Sequence, residues 1–199
     1  MWSAQPQRQK QSALHHVRCC LCGDSGVGKS TLVRRYMNDT FDSNIESTIG
    51  AAYQQRRLDG CVLHLWDTAG QERYQALCPM YLRQGDIVLI AAEAAAPHTA
   101  GRWIERSREI NDKSVLVLVA TKGDRPAAPG EMAALRQWAE KRQVHHVYRV
   151  SSKTGDGCNE LFATLERLAQ DLAPACPPPG AELPVVGDPE DASGCCVQS

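Results

Sequence analysis

One octapeptide constrains this chain of 199 residues more than any other feature. Residues 23–30 read Gly-Asp-Ser-Gly-Val-Gly-Lys-Ser and match the pattern G-x-x-x-x-G-K-[ST]. An apolar run precedes the octapeptide and a helical pattern follows it, so we predict a strand, a loop and a helix. The glycines let successive backbone N–H groups point at one anion, and the helix adds the positive end of its dipole. The octapeptide therefore indicates a loop that binds nucleotide phosphates.

The residue types of this loop suggest individual roles. Lys29 supplies a positive charge to the outer phosphates, and the hydroxyl of Ser30 is a ligand for Mg²⁺. The pattern identifies a nucleoside triphosphate but not its base. The predicted phosphate-loop contacts are Asp24, Ser25, Gly26, Val27, Gly28, Lys29, Ser30 and Thr31.

Apolar runs and helical patterns alternate along the chain, which predicts an α/β fold. We predict strands at 17–23, 51–58, 61–67, 86–92, 114–121 and 145–150, and helices at 29–37, 75–83, 102–110, 131–142 and 159–172. Residues 115–120 are all apolar, as in a parallel strand covered on both faces, and Asp59-Gly60 predicts a hairpin turn. Together these patterns predict a doubly wound, mostly parallel six-stranded sheet with one antiparallel edge strand.

Composition excludes several classes of protein. With 22 Lys and Arg against 23 Asp and Glu, the formal net charge is -1, so we expect no nucleic-acid partner. No apolar run reaches the ~18 residues of a membrane-spanning helix. The Gln-rich N-terminal segment lacks the apolar core of a signal peptide, so we expect a cytosolic chain.

Three regions follow from the distribution of residue types. We predict a flexible N-terminal extension at 1–14, a folded domain at 15–172 and a linker at 173–199. The linker is rich in proline, which blocks regular helix and sheet, so we expect it to be disordered. Its prolines are Pro174, Pro177, Pro178, Pro179, Pro184 and Pro189.

Two polar segments at the ends of predicted strands are candidates for recognising the nucleotide base. Thr121-Lys122-Gly123-Asp124 follows the fully apolar strand, and Ser151-Ser152-Lys153 follows the last strand. Ligands of doubly wound sheets bind beyond the carboxyl ends of the strands, so both segments face the same edge as the phosphate loop. The Asp124 carboxylate can accept from N1–H and the exocyclic amine of guanine, and adenine offers no such donor pair. Alone, Asp124 would be interpreted as a turn residue; its neighbours favour guanine.

A third segment, residues 67–72, reads Asp-Thr-Ala-Gly-Gln-Glu and follows the third strand. With the phosphate loop and both base segments, in this order and spacing, it resembles the Ras superfamily of small GTPases. Residues 46–53 and 72–81 resemble the Rab family and, within it, the early-endosomal branch. The resemblance covers residues 17–172 and implies the P-loop small GTPase fold.

The resemblance implies roles for matching positions near the phosphates. Thr48 would reach Mg²⁺ and the γ-phosphate, Asp67 would hold Mg²⁺ through water, and Gly70 would donate its backbone N–H to the γ-phosphate. Gln71 would be the catalytic residue that orients the attacking water, and a partner would supply an arginine. Phe41 would pack on guanine. The remaining contacts would be Thr121, Lys122, Asp124, Ser151, Ser152 and Lys153.

The resemblance also implies a regulated cycle. It predicts a GTP/GDP switch in vesicle and endosomal membrane trafficking, with slow intrinsic hydrolysis and Mg²⁺ as cofactor. The expected partners are an exchange factor, a GTPase-activating protein and effectors at the switch surface. The expected effector contacts are Tyr53, Trp66 and Tyr81, although aromatic residues in such strands are more often core residues. The chain is expected to be a monomer.

The resemblance implies a location on the cytosolic face of endomembranes, of endosomes in the family pattern, with lipid attached to Cys195 and Cys196. Prenylation machinery and a prenyl-binding chaperone would then be further partners. A C-a-a-X interpretation of residues 196–199 is the alternative, although Gln198 suits it poorly.

Departures from the family pattern support one alternative function. Thr121 replaces the usual Asn, which is expected to weaken a hydrogen bond between loops. Residues 91–96 lack the usual Tyr-Asp-Ile-Thr, which is expected to affect helix packing. These changes motivate a Rab-like nucleotide-binding scaffold with negligible hydrolysis, and the intact Gln71 argues against it. A P-loop kinase would need an arginine-rich lid, for which we find no insertion.

Overall fold

A computed structural model describes residues 14–43, 48–70, 78–126 and 128–173 of the chain. Its strands are β1 (His15–Gly23), β2 (Ala51–Arg57), β3 (Cys61–Thr68), β4 (Ile87–Glu93), β5 (Val115–Thr121) and β6 (His146–Arg149). Its helices are α1 (Lys29–Asn38), α2 (Cys78–Gln84), α3 (Gly101–Ile110), α4 (Glu131–Glu140) and α5 (Cys158–Leu172). Each element lies within a few residues of its predicted position, except that the first part of the predicted helix 75–83 lies outside the described residues.

The described strands form one six-stranded sheet in the order β2-β3-β1-β4-β5-β6. Strand β2 runs antiparallel to β3, and the other neighbouring pairs are parallel. Gly60 turns the chain between β2 and β3 with a φ of 78°, a conformation that glycine adopts without strain. The predicted fold class, including the antiparallel edge strand, is confirmed.

Two apolar layers cover the sheet because successive side chains of a strand point to opposite faces. On β1, Cys19 and Leu21 face the layer formed with α1 and α5, whereas Cys20 and Cys22 face α2, α3 and α4. All four side chains are at most 1% exposed, so they act as small apolar residues of the core. Because both faces of the sheet are covered, a ligand is expected to bind at the carboxyl ends of the strands.

The altered segment 91–96, which includes the end of β4, keeps its packing, contrary to the expected effect on the helix. Ala91, Ala92 and Ala94 are buried, and a 3₁₀ turn at Pro97–Ala100 leads directly into α3. Trp103 and Ile104 of α3 are 3% and 2% exposed in the core. Ala92 and Ala94 lie in the same apolar layer as Trp103, which provides a large apolar surface beside them.

Both predicted terminal regions fall almost entirely outside the described residues, so the extension at 1–14 and the linker at 173–199 remain predictions. Across the part of the chain that the structure describes, no helix has both the length and the apolar content needed to cross a membrane.

Candidate nucleotide site

The phosphate loop connects the end of β1 to the start of α1. Gly26 and Gly28 have φ angles of 75° and 96°, in the left-handed region where a side chain would strain the backbone. Gly23 lies so close to β4 that an added Cβ would be 2.2 Å from the carbonyl oxygen of Ala91. These glycines let the loop curl tightly over the first turn of α1, as the octapeptide predicted.

Lys29 lies across this loop and is 5% exposed. Its Nζ donates to the carbonyl oxygens of Gly23 and Asp24, at 3.0 and 2.9 Å. Burial lowers the pKa of Lys29, and the nearby carboxylate of Asp67 partly opposes this effect. The ammonium group is therefore held in place before it meets any phosphate.

A cleft of about 380 Å³ opens at the carboxyl ends of the strands, beside the phosphate loop. This volume lies in the range typical of small-molecule sites. The predicted residues that line it are Ser25, Gly26, Val27, Gly28, Lys29, Ser30, Thr31, Phe41, Thr48, Gly70, Thr121, Lys122, Asp124, Ser152 and Lys153. The structure thus brings phosphate-loop, switch and base segments to a single cleft.

Four predicted residues lie elsewhere or are not described. Asp67 is buried below the cleft, Ser151 lies behind it, and Asp24 faces α3. Gln71 lies outside the described residues. Three lining residues were missed by the sequence analysis, namely Asp42, Ser43 and Arg125. Asp42 and Ser43 come after the predicted Phe41, and Arg125 follows the predicted Asp124, so adjacency in the chain was the signal available for finding them.

Oxygen atoms cluster at the phosphate end of the cleft. The hydroxyl oxygens of Ser30 and Thr48 lie 2.8 Å apart, and the Thr48 hydroxyl lies 3.4 Å from Oδ2 of Asp67. The other carboxylate oxygen, Oδ1, is buried and has no hydrogen-bond partner among the described residues. Burial raises the pKa of Asp67. Hydroxyl and carboxylate oxygens are the donors that Mg²⁺ prefers, so this cluster fits the metal that the family resemblance implies.

Thr121 links the base segment to the phosphate loop and is 2% exposed. Its hydroxyl lies 2.6 Å from the carbonyl oxygen of Val27 and 3.0 Å from that of Ala92. The expected weakening of the link between loops is therefore not seen in the geometry, because the shorter threonine side chain still reaches Val27.

Asp124 is oriented by a residue that was predicted to contact nucleotide. The buried hydroxyl of Ser151 donates to Oδ1 of Asp124 at 2.8 Å. This hydrogen bond is the main cause of the lowered pKa of Asp124, so the carboxylate is ionised near neutral pH. Arg35 of α1 donates to the carbonyl oxygen of Ser152 at 2.9 and 2.7 Å and ties the second base segment to α1.

Asp24 connects the phosphate loop to α3 instead of pointing into the cleft. Its Oδ1 accepts from the Arg102 guanidinium and from Nε1 of Trp103, the latter at 2.6 Å. Burial raises the pKa of Asp24, but these two hydrogen bonds, together with the positive charges of Arg102 and Lys29, outweigh burial and leave the pKa lowered. Asp24 thus supports the loop through its side chain, and its backbone carbonyl holds Lys29.

The three predicted effector residues, Tyr53 of β2, Trp66 of β3 and Tyr81 of α2, form one row of aromatic rings. The ring centroids of Tyr53 and Trp66 are 5.5 Å apart, and those of Trp66 and Tyr81 are 6.4 Å apart. His64 extends this row, because its Nδ1 lies 2.6 Å from the Tyr53 hydroxyl. Tyr53 and Trp66 are half-buried, whereas Tyr81 is 3% exposed.

Comparisons with known proteins agree with this geometry. The family described as "Ras of Complex, Roc, domain of DAPkinase" matches residues 18–124. Ras-related protein Rab-22A of Homo sapiens is 31% identical over 199 residues, which cover 92% of this chain and 100% of the relative. Ras-related protein Rab-31 of Mus musculus is 33% identical over 81% of this chain and 87% of the relative. GTP-binding protein ypt5 of Schizosaccharomyces pombe is 37% identical over 74% of this chain and 74% of the relative.

A phosphate loop, two base segments and a switch segment around one cleft define a Ras-type GTPase domain. The chain belongs to the Rab family of small GTPases. The family assignment made from residues 46–53 and 72–81 is thereby confirmed. The predicted function, a GTP-hydrolysing switch of membrane trafficking that alternates between GTP and GDP, is confirmed with it.

Proposed function

We propose that this Rab GTPase binds GTP and GDP with Mg²⁺ in the described cleft and acts as a slow switch on the cytosolic face of endosomal membranes. The observation that carries the proposal is the cluster of Ser30, Thr48 and Asp67 oxygens in the same cleft as Lys29 and Asp124. Such a cleft offers a metal site, a phosphate site and a base site in one row.

Each end of the nucleotide has its own contacts in this proposal. Lys29 and the backbone N–H groups of the phosphate loop bind the phosphates, while Ser30, Thr48 and, through water, Asp67 hold Mg²⁺. When bound, Mg²⁺ neutralises negative charge on the phosphates. Asp124 accepts from guanine, Lys122 lies along the base, and Phe41, which is 40% exposed at the cleft edge, packs on it. The backbone of Ser152 contacts guanine, with Thr121, Ser151 and Lys153 completing the base site.

The switch depends on contacts that only GTP can make. We call residues 44–47 and 71–77 the two switch segments. Thr48 directly follows the first, Gly70 directly precedes the second, and both line the cleft at its phosphate end. Their backbone N–H groups bind the γ-phosphate, so loss of this group releases Thr48 and Gly70 from the nucleotide. Gln71 orients the attacking water, and an activating protein supplies an arginine that stabilises the developing charge.

Replacing Gln71 with leucine is expected to lower single-turnover GTP hydrolysis about 100-fold, because leucine cannot orient water. The affinities for GTP and GDP are expected to stay close to those of the wild type. Hydrolysis of preloaded GTP is measured with and without an activating protein, and Gln137→Leu on the exposed face of α4 is the control. Equal rates for Gln71→Leu and the wild type would favour the scaffold with negligible hydrolysis.

We also propose that effectors bind the aromatic face formed by Tyr53, Trp66 and Tyr81. Their positions in the chain support this role: Tyr53 and Trp66 follow segment 44–47, and Tyr81 follows segment 71–77, so the nucleotide state can change the surroundings of these rings. Tyr81 is a poor test residue, since removing a buried aromatic side chain costs about 3–5 kcal/mol of stability. Tyr53 is half-buried on the edge strand and is the better choice.

Replacing Tyr53 with alanine is expected to weaken binding of a Rab effector to the GTP-loaded protein by about 10-fold or more, because interface tyrosines often carry much of the binding energy. GTP affinity and the melting temperature are expected to change little. Titration calorimetry with an effector that binds the GTP-loaded wild type measures the effect. Gln54→Ala, on the same strand but the opposite face, is the control. If both variants bind the effector like the wild type, the aromatic face does not contact it.

We propose that the GTPase domain spans residues 15–172 and that the segment 173–199 links it to a membrane through prenylated Cys195 and Cys196. Charge supports the need for two lipids, since residues 168–199 contain no Lys or Arg and five acidic residues. Attraction of basic residues to acidic lipids is therefore missing, and one lipid chain alone binds only marginally. An exchange factor, an activating protein, prenylation machinery and a prenyl-binding chaperone complete the proposed set of partners.

A further inference from the structure

We infer that Glu93 is a positioning residue for the base-binding segment 121–124, an inference that rests on the proposed function. Glu93 is the last residue of β4, and its two carboxylate oxygens have different partners. Oε1 accepts from Nζ of Lys122, and Oε2 accepts from Nη1 of Arg125 at 2.9 Å. One carboxylate thus holds the two cations that flank Gly123 and Asp124.

Glu93 acts on the cleft through its partners. Lys122 and Arg125 line the cleft, whereas Glu93 does not. The side chains of Glu93 and Lys122 are 30% and 33% exposed, so water screens their ion pair only in part. The hydrogen bond from Lys122 is the main cause of the lowered pKa of Glu93. The carboxylate is therefore ionised in the pH range of the cytosol.

The backbone of this segment needs such support. Lys122 has a φ of 56°, in the left-handed region that non-glycine residues adopt only at a cost. Arg149 of β6 holds the next residues, since it donates to the carbonyl oxygens of Gly123 at 3.2 and 3.3 Å and of Arg125 at 2.5 Å. Arg149 also pairs with Glu131 at 2.7 Å. Glu93 fixes the side chains and Arg149 fixes the backbone of one strained segment.

Two effects of Glu93 on nucleotide binding have opposite signs. If it positions Lys122 along the base, its loss releases Lys122 and Arg125, and nucleotide dissociates faster. If its charge merely repels the anionic nucleotide, its loss slows dissociation instead. The sign of the change therefore separates positioning from simple charge repulsion.

The test uses Glu93→Gln in the full chain, because glutamine keeps the shape and removes the charge. Dissociation of a fluorescent GDP is expected to become about 5–10-fold faster, since the amide nitrogen of glutamine cannot accept from a cation and its oxygen accepts without the help of a negative charge. Hydrolysis of bound GTP in a single turnover is expected to stay within about twofold, because the phosphate end is intact. A general loss of structure would change both rates.

Two further variants complete the experiment. Asp171→Asn breaks the exposed Arg167–Asp171 pair of α5 and is the control, with no expected change in dissociation. In a Lys122→Met background, Glu93→Gln is expected to accelerate dissociation less than threefold, because the main partner is gone. The difference between Glu93→Gln and the wild type should also shrink at high salt.

Unchanged or slower dissociation from Glu93→Gln overturns the inference, as does a full effect in the Lys122→Met background. Failure of the proposed function gives a different result, because the wild type itself would then retain no guanine nucleotide. If the wild type binds GDP and Glu93→Gln releases GDP at the same rate as the wild type, the proposed function stands. Only the role of Glu93 is then wrong.

Discussion

Replacing Asp124 with asparagine is expected to lower the affinity for GTP at least about 100-fold and to raise the affinity for xanthosine triphosphate. Ser151 holds the ionised carboxylate at 2.8 Å, so its free lone pairs are available to the two N–H donors of guanine. The amide nitrogen of asparagine places an N–H donor against the exocyclic amine of guanine. Both donors are then without an acceptor in the complex, which costs several kcal/mol. Xanthine has an oxygen at that position and can accept from the amide.

Equilibrium titration of both nucleotides against nucleotide-free protein measures this exchange of specificity. Asp112→Asn, in the exposed turn after α3, removes the same charge away from the cleft and is expected to leave GTP affinity unchanged. If Asp124→Asn binds GTP as tightly as the wild type, Asp124 does not recognise the base. An equal loss of affinity for GTP and xanthosine triphosphate would instead indicate that segment 121–124 has lost its conformation.

Local patterns were sufficient to predict most of the fold. Strands β1, β3, β4 and β5 are mainly apolar, and the helices have apolar stripes, so the positions of these elements follow from hydrophobic patterns. The turn at Asp59-Gly60 and the loop at 23–28 require glycine at particular positions, and these glycines can be recognised from the sequence alone. The patterns predicted the parallel sheet and its antiparallel edge strand, whereas the order of the strands was not predicted and comes from the structure.

The segment after β4 shows where local patterns fail. Residues 94–96 are all alanine, the best helix former, yet they form a turn before a 3₁₀ segment. Tertiary contacts decide the outcome, because the backbone N–H of Ala94 donates to the carbonyl oxygen of Thr121 at 2.8 Å. Propensity is a weak influence beside a contact of this kind.

The supports of the site were also beyond prediction from sequence. Asp24 meets Trp103, and Glu93 meets Lys122, across 79 and 29 positions in the chain. Nothing in the spacing of these residues indicates that they touch, because the contacts depend on which strand ends lie side by side. The residue types that contact a ligand were therefore easier to predict than the residues that hold them.

The start of the second switch segment shows this dependence on close packing most clearly. Gly70 lies against the phosphate loop, where an added Cβ would be 2.5 Å from the carbonyl oxygen of Asp24 and 2.5 Å from Nζ of Lys29. The Asp24 carbonyl is backbone and cannot move aside, and Lys29 is already held by it at 2.9 Å. Residue 70 must therefore lack a side chain for the switch segment to approach the phosphates.

Replacing Gly70 with alanine is accordingly expected to reduce single-turnover GTP hydrolysis at least about 100-fold, the usual cost of losing one well-placed backbone donor. The added methyl group pushes residue 70 away from the phosphate loop and displaces Lys29, so affinity for GTP should fall more than affinity for GDP. Gly101→Ala is the control, because its Cβ would meet Trp138 at an ordinary 3.7 Å and alanine suits a helix. Preloaded GTP is followed to GDP and phosphate in both variants, and their circular dichroism is compared with the wild type. Hydrolysis by Gly70→Ala within threefold of the wild type, in a folded protein, would show that the switch segment works without this close approach.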